Sequence, residues 1–131
     1  MVDVLRLEVP EPIPSLNRVY GRHWSAKYRQ RKQWGWLIRA ALLDVSHDSE
    51  RNLALLALRG HVCASGRVGV RAETWRPRVL DRDNLIAGAK GIIDCLRAEC
   101  LIVDDSPKWI EETVVQHVGM PHRTVLELTP I

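Results

Sequence analysis

Apolar and polar residues alternate from Val2 to Val9 (Val2, Val4, Leu5, Leu7, Val9), the period of a half-buried strand, which Pro10, Pro12 and Pro14 bring to a stop. Ser15 to Trp24 has no period and reads as a loop. From Ser25 to Val45 the spacing becomes helical: Trp34, Leu37, Ile38, Ala41, Leu42 and Val45 recur on one face behind a serine N-cap. Residues 49 to 66 are less legible, since Leu53, Leu55, Leu56 and Leu58 suit a short helix and a strand equally, with Gly60 as a stop signal. Val68 to Trp75 alternates again and predicts a second strand. A helix is expected from Asn84 to Arg97, with Ile86, Ala89, Ile93 and Leu96 on one face. Ile110 to Val118 and Thr124 to Leu128 then read as strands joined by a hairpin-like turn at Gly119-Met120-Pro121-His122. The expectation is a single α/β (α+β) domain over residues 1–131: a small mixed four-stranded sheet with a long N-terminal helix and a second helix packed on it.

Composition narrows this picture. A chain of 131 residues buries roughly two-thirds of its unfolded surface without staples. Cys63, Cys95 and Cys100 form an odd set with no C-x-x-C pair, which argues against a disulfide framework or structural zinc and fits a reducing compartment. No long apolar run and no signal-peptide core appears, so a cytoplasmic protein with no membrane partner is expected.

Charge points to a polyanion. The net charge is only +3, but no acidic residue lies between Glu11 and Asp44, while Arg18, Arg22, Lys27, Arg29, Arg31, Lys32 and Arg39 all do. A second cluster, Arg67, Arg71, Arg76, Arg78 and Arg82, leads into Asp81-Arg82-Asp83-Asn84. A solvated basic helix face explains one such cluster; two around an acidic loop favour nucleic acid.

The acids themselves suggest a hard cation. Asp81 and Asp83 precede the second helix, and Asp104 and Asp105 follow it. If Leu101-Ile102-Val103 returns the chain, the two pairs share a carboxylate cage of the kind that suits magnesium or manganese beside a phosphate. The competing reading is a capped helix start, with Asp83 or Asn84 as N-cap. The histidines, His23, His47, His61, His117 and His122, are scattered without ligand spacing.

The run DRDNLIAGAKGIIDCLRAECLIVDD resembles the signature of the RusA family of Holliday-junction resolvases: D-x-D-N, a helical lysine, a helical Asp-x-Leu and an Asp-Asp pair. Trp75-Arg76-Pro77-Arg78, the early Pro14-Ser15-Leu16-Asn17 and the closing strands are similar to the family too. The resemblance implies a small α/β C2 homodimer that cuts four-way DNA junctions with magnesium or manganese. It assigns Asp81, Asp83 and Asp105 to metal binding and catalysis and Lys90 to catalysis, with a lesser role for Asp104. Lys90 stands three residues later than the family's lysine, nearly one helical turn, which keeps it on the Asp83 side of the helix together with Asp94. The stretch between residues 46 and 66 is longer than in the family.

The function expected is phosphodiester hydrolysis on branched DNA, in recombination and repair. Arg76, Arg78 and Arg82, with Arg18, Arg22, Lys27, Arg29, Arg31 and Lys32, would hold phosphates without reading sequence. Trp24, Trp34 and Trp36 are candidates for stacking on bases, although Trp34 has the spacing of a core residue. The alternative is a branched-DNA-binding protein of the same fold without cleavage. A nucleotide phosphotransferase is disfavoured because no glycine-rich phosphate loop is present.

Overall fold

Strict alternation is realised most fully in the strand Val68–Arg76, where every second residue from Val68 is buried. The computed structural model describes residues 4–15 and 24–131, with side chains from Tyr28 onward in the second stretch. Its order is β1 (Leu5–Val9), α1 (Trp24–Ser46), α2 (Ser49–Cys63), β2 (Val68–Arg76), α3 (Arg82–Ala98), β3 (Ile110–Val118) and β4 (Arg123–Pro130). The four strands form one mixed sheet in the order β1-β4-β2-β3. β4 is antiparallel to β1 and β2, and β3 is parallel to β2.

Leu5, Leu7 and Val9 share a sheet face with Leu126 and Leu128 of β4 and with Val70 and Ala72 of β2, as the pairing register requires. Trp34, Ile38, Leu42 and Val45 of α1, Leu55 and Leu58 of α2, and Leu85, Ala89, Ile92, Ile93 and Leu96 of α3 join these residues in one buried cluster. The other sheet face carries Arg71, Glu73 and Glu127, linked by ion pairs, and Trp75, which lies between the Arg123 guanidinium at 3.8 Å and the His117 ring at 5.0 Å. Hydrogen bonds from Arg71 and then His117 hold Glu73 below the usual carboxylate range.

The ambiguous stretch is a helix. Asp48 caps α2 by accepting the Glu50 and Arg51 N–H groups, and Leu55 and Leu58 face inward. Behind it Ser65 takes φ 59°, and the Gly66 N–H donates to His61 O at 2.8 Å.

Two expectations require correction. β3 and β4 are not a hairpin: β4 lies on the far side of β2, so residues 119–122 cross the end of β2, where Gly119 N–H donates to Arg76 O at 3.1 Å. β4 takes the free flank of β2, between β2 and β1, and leaves β3 at the edge of the sheet. Ile86 is 43% exposed rather than part of the inward face of α3, which is carried instead by Leu85, Ala89, Ile92 and Leu96.

The segment Glu11–Ser15 packs tightly on α3. A Cβ on Gly88 would stand 2.3 Å from Pro14 O and 2.9 Å from Ile13 Cγ2, whereas one on Gly91 would meet nothing within 4 Å. Gly88→Ala should therefore destabilise by about 2 kcal/mol through overpacking, while Gly91→Ala should stabilise by about 0.5–1 kcal/mol through helix propensity. Urea unfolding of both variants checks the pair; equal stabilisation would mean the segment is not seated there.

Candidate functional site

β2 ends at Arg76 and α3 begins at Arg82, so residues 77–81 form a short bridge over the edge of the sheet. The bridge is held from β3: Gln116 Oε1 accepts Leu80 N–H at 2.9 Å and its Nε2 donates to Leu80 O at 2.8 Å. These paired hydrogen bonds satisfy both backbone groups of Leu80 with one side chain. Asp81 then caps α3, its Oδ1 accepting the Asn84 N–H at 2.8 Å. The cap is thus Asp81, two residues earlier than Asp83 and three earlier than Asn84. Asp83 is exposed in the first turn, where the helix dipole favours a negative charge.

The Glu11–Ser15 segment is anchored against this bridge by a polar relay. Ile13 N–H donates to Thr74 Oγ1 at 2.9 Å, Thr74 and Thr124 hydroxyls are 3.0 Å apart, and Thr124 Oγ1 donates to Glu11 O at 2.8 Å. Because the Thr124 proton goes to Glu11, the single Thr74 proton is divided between Thr124 Oγ1 and Arg123 O, which lies 3.3 Å away. Asn84 Nδ2 donates to Ser15 Oγ at 3.0 Å. Between the segment, the bridge and α1 lies a cleft of about 590 Å³, lined by Glu11–Ser15, Gln30, Gln33, Trp34, Arg76–Asp81 and Asn84.

Cations reach this cleft unequally. Arg76 is only 7% exposed, and its Nη1 donates to Ile13 O at 2.9 Å, so it serves as a tie within the fold rather than an open phosphate hook. Arg78 and Arg82 are exposed. Arg29 and Lys32 are exposed on α1, and Arg31 is bound to Asp94 of α3 at 3.1 Å. Arg18, Arg22 and the side chains of Lys27 and Trp24 lie outside the described residues.

The acid pairs do not meet within the chain. Asp81 and Asp83 stand at the head of α3, whereas Arg97, in its last turn, binds Asp104 at 3.5 Å. The helix Arg82–Ala98 is about 25 Å long at 1.5 Å per residue. Leu101 and Ile102 are buried and lead into β3 rather than back along the helix, because β3 starts opposite the beginning of β2, Val68 pairing with Ile110. The expected single cage is therefore not formed: among the described residues no group of three His, Cys, Asp or Glu could hold a metal ion. The Asp105 N–H donates to Asp104 Oδ1 at 2.8 Å, which is the main reason Asp104 is held below the usual carboxylate range. Lys90 is exposed, on the same face as Asp83 and about 10 Å further along the axis.

No protein-family model matches the chain, and no curated protein matches it. Thr74 falls on the inward phase of the Val68–Arg76 alternation, but its partners, and the roles of Gln116 and Thr124, carried no sequence signal. Ser15 and Asn84 lie within recognisable motifs, but their contact is tertiary.

Replacing Asp81 by Ala should cost about 1 kcal/mol of stability, and replacing it by Asn almost nothing. Arg76→Ala should cost about 2 kcal/mol, because it strands the buried Ile13 carbonyl. Denaturant titrations distinguish these outcomes; an Arg76→Ala protein as stable as wild type would show that the tie is dispensable.

Proposed function

We propose that the chain is a structure-selective endodeoxyribonuclease that resolves four-way DNA junctions with magnesium or manganese, working as a C2 homodimer in recombination and repair. The observation that carries the reading is that Asp81 and exposed Arg78 line the cleft at the head of α3, with exposed Arg82 and Asp83 in the first turn of the helix that follows. Carboxylates and phosphate-binding cations meet there, as hydrolysis of a phosphodiester demands. The resemblance of the 81–105 run to RusA resolvases supplies the substrate class.

The described residues of one chain do not make a magnesium site, since Asp105 belongs to the other end of α3. The proposal therefore needs the second copy. Two α3 helices side by side and antiparallel, as a perpendicular two-fold axis would arrange them, bring the head of one to the foot of the other. Asp81 and Asp83 of one copy would then be joined by Asp105 of its mate, with Lys90 near the middle of the shared face. Symmetric cutting of a junction also asks for two such centres.

The separation of the acids favours one other reading, a branched-DNA-binding protein that does not cut. Subunit mixing separates the two. Asp83→Asn and Asp105→Asn should each lower cleavage of a labelled four-way junction in magnesium by at least about a hundredfold while leaving junction binding intact. Mixed after subunit exchange, they should regain about a quarter of wild-type centres, because half the dimers are hetero and one of their two centres is whole. A mixture that stays inactive, although both variants fold and bind, rules out the shared centre. Wild-type cleavage by Asp83→Asn would overturn the nuclease reading itself.

A further inference from the structure

The outer face of α1 interleaves aromatic and cationic side chains. Tyr28, Lys32, Trp36, Arg39 and Leu43 follow one another three or four residues apart and so lie along one line of the helix. Tyr28 is 60% and Trp36 61% exposed, in contrast to Trp34, which is 4% exposed in the core. The Arg39 guanidinium sits 5.7 Å from the Trp36 ring centroid and pairs with Glu99 of α3 at 2.6 Å, a carboxylate that lines the same groove. Arg31 is likewise held by Asp94, while Lys32 has no carboxylate partner among the described residues. The only acid on α1 is Asp44, which pairs with Arg51 of α2.

A groove of about 330 Å³ runs beside this line, between α1 and the last turns of α3, floored by Gly35 and Ala98. That volume lies at the small end of ligand sites. A Cβ on Gly35 would meet nothing within 4 Å, so the surface next to Trp36 is open to a flat group. The groove is separate from the cleft at the head of α3, sharing none of its lining residues.

We propose that this face binds a single-stranded DNA segment, with a base stacked on Trp36 and the adjoining phosphates on Lys32 and Arg39. Stacking tolerates any base, and cations that track the backbone supply affinity without sequence preference. A second copy of the chain seated on this face would shield Trp36 before any DNA is added, which the test below reads directly. The proposal rests on the branched-DNA reading and extends it: duplex arms do not expose a ring face, whereas bases unpaired where a bound junction is opened do.

The test is titration of the whole protein with single-stranded oligo(dT) and with duplex of equal length, followed by tryptophan fluorescence and repeated over a salt series. Oligo(dT) should quench more than duplex does. Trp36→Leu should remove most of the quench and weaken oligo(dT) binding about tenfold, with Trp36→Tyr restoring part of it. Lys32→Ala should make the salt dependence shallower by about 0.7. Circular dichroism guards against misfolding, which exposed Trp36 makes a small risk. Unchanged oligo(dT) affinity in Trp36→Leu overturns the proposal, as does Trp36 shielded from acrylamide by self-association before DNA is added. Junction cleavage that persists alongside either result leaves the nuclease reading standing, whereas Trp36-dependent oligo(dT) binding without any cleavage removes that reading alone.

Discussion

The seating of residues Glu11–Ser15 across the end of β2 and onto α3 is the contact on which the rest of the site depends. Three elements far apart in sequence meet there: Ile13 is gripped by Thr74 on its N–H and by Arg76 on its carbonyl, and Ser15 by Asn84. Pro14 O comes so close to the helix that only a residue without a Cβ fits at position 88. A strap with two prolines and a buried Ile13 does not satisfy its backbone by pairing in a sheet, so side chains supply the partners. Arg76 is part of that supply, which is why a residue preceding an acidic motif faces inward rather than toward a phosphate.

The second constraint is the parallel pairing of β2 and β3. A crossover between parallel strands must leave the end of the first and return to the beginning of the second. Asp81 and Asp83 follow β2, and Asp104 and Asp105 precede β3. No rotamer or loop adjustment of ordinary size joins them across a helix of this length. Any chemistry that needs all three aspartates is thereby referred to an assembly larger than one chain.

Most of the scaffold was legible because the periods are strong. The β2 alternation, the inward stripe of α1 at Trp34, Ile38, Leu42 and Val45, and β3 at Ile110–Val118 appear where the apolar pattern puts them. What failed was pairing and orientation. The Gly119-Met120-Pro121-His122 turn has hairpin chemistry, yet local turn residues do not say which side of β2 the next strand will take. Strand, helix and strand over residues 68–118 already spell a parallel crossover, and a short apolar run after the helix is equally a strand approach or a return. Ile86 was misplaced because α3 is apolar over more than half its circumference, and with Leu85 and Ile86 adjacent only the packing of Gly88 on Pro14 fixes which one turns in.

Capping and metal binding are usually set against each other as explanations of a D-x-D-N motif, but the geometry of α3 makes them compatible. One carboxylate offers two oxygens and about four lone pairs. Asp81 commits Oδ1 to the Asn84 N–H, which fixes the plane of the carboxylate and leaves Oδ2 uncommitted to the cap. Asn84, once its N–H is satisfied in this way, spends its side chain on Ser15 and so ties the same carboxylate to the strap. The cap therefore acts as an orienting device: it restricts the rotamers of Asp81 before any ligand arrives. Asp83, with no side-chain hydrogen bond among the described residues, stands exposed beside the positive end of the helix, so the shared centre proposed above would pair one acid oriented by the fold with one that is not.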